Sequence, residues 1–402
     1  MKNLKKSKKV LILVENLLYG GVTTHLLNLI KSKNSKNIKF IIVTNESNYA
    51  LKNITKSFNK KNIETIYYKS LNNVILSNYF FKLIFHLIRP LLFLISIYQV
   101  ASIIKKINFD AFIANCGGYG NFRTELAGIF AGKILGKKNL NLLIHHNYTK
   151  PQLWSFLLNA INFFVKKSIN KLIFVSHATK KSILSNTNLF NFSKNKTFVI
   201  HNGILLNKVK AKKLHYFKTK KKYLKIGMLA RIEDYKGQLD LIEAFSKLSK
   251  NVKSKYKVYL IGRGNKKDEE KLKNKISQYK LKNDIKHIRY IDHNNLIILK
   301  NFDLYISLTR DFEGFGYSIA EALYLGLPVI STKVGGVVEF LNKNNAELIQ
   351  PQDIKNLKKL LENFPFNKSC WKKKANNGKK LIVKKFNSEE MSKKYYNVIF
   401  NK

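Results

Sequence analysis

Glu313 and Glu321 stand eight residues apart in the stretch EGFGYSIAEA, Glu313–Ala322. The apolar run DLYISL just before them has the unbroken character of a buried parallel strand, and LYLGLPVISTKVGG follows. Gly314 and Gly316 loosen the backbone between the two carboxylates. From Tyr317 the pattern turns helical, with Ile319, Ala320, Ala322 and Leu323 around Glu321. Strand, glycine turn and helix start make an anion site, because the first amides of a helix lack internal partners and its dipole is positive there. Two glycines let the backbone come close to that anion. One carboxylate at the loop and another about a turn into the helix can grip hydroxyls on both sides of a diphosphate. That is the shape of a nucleotide-sugar site.

Other residues of chemical interest lie far away in the chain. Arg231 and Lys236 share one loop in LKIGMLARIEDYKGQLDLIEAF, where Gly237 lets the turn close. Two cations on such a loop make a clamp for a diphosphate. Lys is abundant throughout and Arg is scarce, so Arg231 carries more of this reading than Lys236. Gly20 and Gly21 follow the apolar run VLILV, which makes strand, Gly-Gly and helix, with the helix beginning near Thr23. This is not the G-x-G-x-x-G pattern of dinucleotide binding. A glycine pair at a first turn often only tightens the connection. His145 and His146 end the run LNLLI. They are adjacent and have no acidic or Cys partner at a ligand spacing, so they do not form a metal site. A single His is more often structural than functional, and both readings stay open for His146.

Together these segments resemble the family-four retaining glycosyltransferases, which have the two-domain GT-B fold. The resemblance rests on the E-x7-E signature at Glu313 and Glu321, set in a long match that runs through the Leu-Pro strand to Gly335-Gly336. It covers nearly the full length and is most specific over 224–340, with further likeness at 10–30 and 140–205. It implies an α/β chain of two doubly wound Rossmann-like domains facing each other across a cleft. It implies that Gly20 and Gly21 face the donor's phosphates and sugar, that His146 stands against the donor sugar, and that Arg231 and Lys236 hold the diphosphate. Gly314, Phe315, Gly316 and Tyr317 would form the phosphate turn, and Ile291 would meet the base through its backbone. Glu313 would orient the sugar hydroxyls, and Glu321 would hold the ribose. On this resemblance Glu313 and His146 are the catalytic pair. The chain departs from the family pattern at Arg263, where an Asp is usual, and at RYIDH, where Phe-x-Gly is usual.

The same resemblance implies a reaction. A hexosyl or N-acetylhexosaminyl group passes from a nucleotide-sugar, UDP-linked rather than GDP-linked, to a hydroxyl of a surface glycan or lipid-linked saccharide. No metal or other cofactor is implied, since Arg231, Lys236 and the helix start supply the charge a metal would. No carboxylate is evidently set to attack the far face of the sugar. The implied route is front-face attack, with the leaving diphosphate helping to deprotonate the acceptor. Two other GT-B chemistries stay open, a nucleotide-sugar epimerase and a phosphorylase using a Lys-bound pyridoxal phosphate. A third reading is a non-enzymatic basic module for nucleic acid or membrane. Glu313 and Glu321 discriminate against it, because carboxylates in an anion-binding cleft repel phosphate unless they hold hydroxyls.

Composition sets the frame for these elements. The 402 residues exceed one ordinary core, and 45% hydrophobic with 12% aromatic residues can build two. The net charge of +50 comes from 74 Lys and Arg against 24 Asp and Glu. Such charge attracts nucleic acid or an anionic membrane. The excess is mainly Lys, spread along the whole chain beside abundant Asn and Ile, which reads in part as compositional bias. No nucleic-acid motif accompanies it. Cys116 and Cys370 are far apart in the sequence and suggest reduced thiols in a cytosolic setting. The basic, then briefly apolar start lacks the features of a signal peptide.

Predicted strands in the first half are Val10–Val14, Phe40–Thr44, Ile63–Tyr67, Ala111–Ala114, Leu140–Ile144, Leu172–Val175 and Thr197–Ile200. The segment LIFHLIRPLLFLISIYQVASII within Val74–Lys106 is long enough to raise a membrane span. His86, Arg89, Pro90 and Gln99 inside it, and the strand that follows, favour two helices broken around Arg89–Pro90. These pack on the sheet as core helices or rest partly on lipid as interfacial ones. The loop Asn115–Gly120 lies at a strand's carboxyl end, where such sheets take ligands. The expected organisation is a domain at 1–205 on the acceptor side, a polar linker at 206–222, a nucleotide-sugar domain at 223–385, and a terminal helix at 386–402 packing back on the first domain. The expected location is the cytoplasm, peripheral on the inner face of the cell membrane.

Overall fold

The computed structural model describes residues 7–16, 19–48, 51, 62–72, 79–150, 153–187, 193–206, 222–289 and 295–401. Ile291 and nearly all of the expected linker lie outside the described residues. The chain divides into two compact units, one of residues 1–205 with 388–402 and the other of residues 206–387.

The first unit is a parallel sheet of seven strands in the order β3-β2-β1-β4-β5-β6-β7. The strands are β1 (Lys8–Leu13), β2 (Ile38–Asn45), β3 (Ile63–Tyr68), β4 (Ala111–Cys116), β5 (Leu140–Ile144), β6 (Lys171–Phe174) and β7 (Thr197–Val199). β1, β4 and β5 carry apolar runs because helices cover both faces, and Leu11 pairs with Ile41 on one side and Phe112 on the other. The strand order reverses between β1 and β4, which is where an open α/β sheet opens a crevice at its carboxyl edge.

Six helices of this unit bear on the argument: α1 (Gly21–Lys31), α2 (Tyr79–Leu87), α3 (Arg89–Ile104), α4 (Thr124–Ile134), α5 (Ser155–Ser168) and α6 (His177–Asn186). α1 starts at Gly21 rather than near Thr23, so the glycine pair itself opens the helix. The long apolar segment is two helices joined at Ile88, and Arg89 and Pro90 begin the second, where a proline's missing amide costs nothing. Leu92, Phe93, Ser96, Val100 and Ile104 of α3 are buried, and Phe93 packs against Phe122 and Phe130. The opposite side is bare: Phe81, Leu87, Leu91, Leu94 and Tyr98 are exposed, Tyr98 by 77%. Core helix and exposed apolar surface are therefore two faces of one segment. No helix among the described residues is long and apolar enough to cross a membrane.

The second unit repeats the plan with six parallel strands in the order β10-β9-β8-β11-β12-β13. They are β8 (Leu224–Leu229), β9 (Tyr256–Ile261), β10 (Ile285–Ile288), β11 (Leu304–Ser307), β12 (Val329–Thr332) and β13 (Glu347–Ile349). Its α-helices of five or more residues, among those described, are α7 (Gln238–Ser246), α8 (Lys266–Gln278), α9 (Asn295–Leu299), α10 (Tyr317–Tyr324), α11 (Ile354–Asn363) and α12 (Lys368–Lys385). The order reverses between β8 and β11. The fold class expected from the sequence, two doubly wound Rossmann-like domains, is the one the chain adopts.

A last helix, α13 (Ser388–Phe400), belongs to the first unit. Met391, Tyr395 and Ile399 enter the same core as Val10, Ile12 and Leu26. Glu389 accepts from the Lys33 amide at 2.9 and 3.0 Å, and Asn139 donates to the Ile399 carbonyl at 2.8 Å. The Tyr395 ring also stands edge-on to His25 at 5.2 Å. His25 is fully buried, and that burial pulls its pKa down to about 3.

Candidate functional site

The predicted residues fall into one group in each unit. In the second unit the loops after β8 and β11 are knitted together at the strand-order reversal. Arg310 N donates to the Tyr235 carbonyl at 2.7 Å, while from the end of β12 Thr332 Oγ1 donates to the Thr309 carbonyl at 2.6 Å and fixes the β11 loop from its other side. Gly237 sits in the left-handed region at φ 78°, and a Cβ there would stand 2.2 Å from the Leu308 carbonyl oxygen. Only glycine lets this turn close and α7 begin beside β11.

Lys236 and Glu313 meet in this loop pair. Lys236 Nζ bonds Glu313 Oε2 at 2.7 Å, with the two side chains 12% and 24% exposed. Burial lowers the Lys236 pKa, but Glu313 more than offsets it, and the net shift is upward. Thr309 Oγ1 approaches the same carboxylate oxygen at 3.4 Å. The Glu313 main chain is fixed from behind, where Gly336 N donates to its carbonyl at 2.7 Å. A Cβ on Gly335, at φ 51°, would come within 2.2 Å of that oxygen. The second glycine pair thus holds Glu313 in place.

Glu313 leads into the turn that starts α10. Gly316 is the N-cap in the left-handed region, and no side chain caps the helix. Gly314, Phe315 and Tyr317 are buried. The Phe315 ring packs against Tyr317, Phe340 and Phe386 at 5.1–6.1 Å between centroids, so it anchors the turn and leaves main chain to face a ligand. Glu321 lies inside α10, buried, and its Oε2 accepts from Asn295 Nδ2 at 2.9 Å. Tyr305 in β11 is within electrostatic reach of both carboxylates: its hydroxyl donates to Ser318 Oγ or the Leu229 carbonyl, and burial raises its pKa, with Glu321 and Glu313 adding to the rise.

Arg231 is half exposed. Its Nη1 pairs with Glu233 Oε1 at 2.8 Å, and its Nη2 donates to the Tyr235 hydroxyl at 3.1 Å. The sequence reading passed over Arg310. Its guanidinium grips Asp240 at 2.5 and 3.0 Å and reaches Asp234 at 3.4 Å, which ties the β11 loop to α7. Asn295, the partner of Glu321, was also passed over. Arg scarcity was the available signal for Arg310, while nothing in the sequence singles out Asn295. The Arg263 backbone is fixed by the bond from Ile232 N to its carbonyl at 3.1 Å.

Burial raises the Glu321 carboxyl pKa from 4.5 to about 7, against a lowering from the Asn295 bond. The folded chain therefore holds this proton more tightly than the unfolded chain does. The stabilisation is complete below pH 4.5 and is lost as pH rises through 7. Glu321→Gln removes the titration. It is expected to flatten stability over that window and to raise it above pH 7 by up to about 3 kcal/mol, at about 1.36 kcal/mol per pH unit. Urea unfolding at pH 5 and pH 8 measures this. Equal pH slopes in the two proteins would mean that the carboxyl is not desolvated.

In the first unit, Gly20 is the N-cap of α1, and Gly21 is its first residue and exposed. The Gly20 backbone is extended, and a Cβ there would meet nothing within 4 Å. Nothing inside this unit requires glycine at that position. His146 follows β5 and its Nδ1 shares a short hydrogen bond with Asn147 Oδ1. His145 is the buried member of the pair. Its Nε2 bonds Asn115 Oδ1 at 2.7 Å and its ring meets His25 at 4.6 Å. Burial, then His25 and His146, holds its pKa well below the usual range, so it stays neutral in the core.

Residues 210–381 match the family model described as Glycosyl transferases group 1. The chain is similar to an uncharacterized glycosyltransferase of Methanocaldococcus jannaschii, 29% identical over 345 residues, 81% of this chain and 83% of that protein. The fold is similar to Anabaena HepE in complex with UDP and glucose, with a TM-score of 0.76 and 17% identity over 98% of this chain and all of that one. It is also similar to a glycosyltransferase of Rickettsia africae, with a TM-score of 0.73 and 22% identity over 98% and 100% of the two chains.

Proposed function

We propose, from the membership of residues 210–381 in the glycosyl transferases group 1 family, that this glycosyltransferase is a retaining enzyme of the family-four type. It moves a hexosyl or N-acetylhexosaminyl group from a UDP-sugar to a glycan or lipid-linked saccharide, as in the synthesis of lipopolysaccharide or capsule. The observation that carries the reading is the Lys236–Glu313 pair at 2.7 Å, set where the strand order reverses and followed at once by the glycine start of α10. A cation, a carboxylate and uncapped helix amides at one strand edge match the parts of a nucleotide-sugar: diphosphate, sugar hydroxyls and ribose. HepE was crystallised with UDP and with UDP-glucose, and the shared fold supports UDP as the nucleotide.

In this reading the donor diphosphate lies on the α10 amides with Lys236 and Arg231 against it. Arg231 leaves Glu233 to do so, exchanging one charge-assisted bond for another. Glu313 holds the hydroxyls of the sugar and Glu321 those of the ribose. Gly20 and Gly21 face the diphosphate and sugar, and His146 stands against the sugar. The acceptor hydroxyl attacks from the side the diphosphate leaves, and the departing phosphate oxygen takes its proton. No metal or further cofactor takes part. The excess Lys and the bare apolar face of α2 and α3 hold the protein peripherally on an anionic membrane at the inner surface of the cell. Nucleic acid is not a specific partner.

Thermal unfolding with UDP-, GDP- and ADP-sugars, each with and without a chelator, tests the reading. A UDP-sugar at about 100 times its Kd stabilises the folded form by about 2.7 kcal/mol, and the chelator leaves that unchanged. Transfer that stops with chelator and returns with magnesium would refute the metal-independent mechanism. Protection by none of the nucleotide-sugars would refute the donor class.

A further inference from the structure

The chain has six arginines among its 74 basic residues, and two of the six stand together in the first unit. Arg123 lies across the turn that follows β4. A Cβ on Gly117 would be 3.9 Å from its Nη1, and one on Gly118 would be 3.4 Å from its Nη2. The same Gly118 position is 3.7 Å from the His146 Cβ and 3.4 Å from the Asn147 carbonyl oxygen, and Gly117 is 3.5 Å from Asn16 Oδ1. Arg123 thus shares the β1–β4 reversal with His146. Arg89 approaches from the start of α3. Its Nη1 donates to Asn121 Oδ1 at 3.2 Å, while the Arg123 amide donates to the Asn121 carbonyl at 2.8 Å. One asparagine therefore bridges both arginines.

Neither guanidinium is fully satisfied by the fold, although Arg89 also lies over the Phe85 ring at 5.7 Å. The Nε atoms of Arg89 and Arg123 are buried without a hydrogen-bond partner, and neither side chain joins an ion pair among the described residues. Glu125 is fully buried near Arg123 and the two attract each other, but they form no ion pair among the described residues. Two half-buried like charges with open donors destabilise a fold unless a ligand answers them. A planar fork on each residue suits a phosphate or carboxylate.

We infer that Arg123 and Arg89, set over the Gly117–Gly118 turn, bind an oxyanion carried by the acceptor. The acceptor is then an anionic saccharide, bearing phosphate or carboxylate close to the hydroxyl that receives the sugar. This rests on the reading of the chain as a glycosyltransferase whose first unit takes the acceptor. Leu87, Ile88 and Leu91 flank Arg89 and are exposed, so apolar surface adjoins the oxyanion site. A phosphate joined to a lipid chain and a phosphate on a soluble sugar both fit this chemistry.

The test uses the full chain and three variants, Arg123→Gln, Arg89→Gln and Arg89→Lys, the last keeping the charge while removing the fork. Calorimetry measures Kd for inorganic phosphate and, in the same samples, for UDP. The expected result is phosphate binding weakened about tenfold or more in each Gln variant, less in Arg89→Lys, with the UDP Kd unchanged. Each Gln substitution removes one cation of 74 and Arg89→Lys removes none, so general charge attraction cannot produce that difference. Co-sedimentation with phosphatidic acid vesicles, compared with phosphatidylcholine vesicles, then separates the sources. Loss of binding in the Gln variants assigns a lipid phosphate, and unchanged co-sedimentation assigns a soluble one. Phosphate bound equally by wild type and variants, or by neither, overturns the inference. A parallel fall in UDP affinity overturns it too, because the arginines would then serve the donor. Failure of the wild type to bind UDP would instead strike the donor reading and leave the phosphate comparison to be judged by itself.

Discussion

Glu313→Gln lowers kcat about 100- to 1,000-fold at saturating donor while free UDP binds as well as before, or more tightly. The carboxylate lies at the strand end with Lys236 on Oε2, and in the proposed complex it holds the sugar hydroxyls. Misplacing the reacting carbon acts chiefly on the transition state, where a loss of about 3–4 kcal/mol is typical for a preorganised group. Nucleotide binding is spared because Gln keeps the volume and leaves the Lys236 ammonium free for the diphosphate. Glu321→Gln behaves oppositely, weakening UDP with a smaller effect on kcat. The pair of measurements is UDP Kd by calorimetry and kcat with saturating donor. A Glu313→Gln enzyme with normal kcat and weakened UDP would mean that the ribose and sugar ends are exchanged.

Lys236→Met is expected to weaken donor binding by about 1.5–3 kcal/mol, roughly 10- to 150-fold in Kd. The ammonium is largely enclosed and bonded at 2.7 Å, and its removal takes the Lys236 charge away from the Glu313 carboxylate where a diphosphate must bind. The free protein should also lose stability, because removing one member of an enclosed ion pair leaves the other desolvated. Restoring neutrality with Glu313→Gln in the same chain separates the two effects. The double variant regains stability in urea unfolding but not donor affinity. If Lys236→Met binds the donor normally, the pair is a structural clamp between two loops.

The legible parts of this chain were those with contrast in their own local sequence. VLILV, FIIVT and DLYISL read as strands because apolar runs end at glycine or polar residues, and the Gly-rich turn before α10 reads as a helix start for the same reason. The α2–α3 segment was read correctly as two helices, yet its bare side was not assigned. A helix apolar on every side offers no periodicity, and Ser96 lies inside while Leu94 is exposed by 61%. The remaining features depend on distant partners. Arg310 meets Asp240 from 70 residues away, Asn295 reaches Glu321 across 26, and Arg89 meets Asn121, beside Arg123, across 32. Such pairings follow from sheet order and helix placement, which no local pattern encodes.

The return of α13 to the first unit carries a consequence for biosynthesis. The core of that unit is assembled from residues 1–205 and from a helix that begins at Ser388, and the whole second unit is translated between them. At about 5–20 residues per second, roughly ten to forty seconds separate the two parts. During that interval Val10, Ile12 and Leu26 lack the cover that Met391, Tyr395 and Ile399 will supply. A nascent chain stalled before Ser388 would expose part of that core to chaperones and proteases.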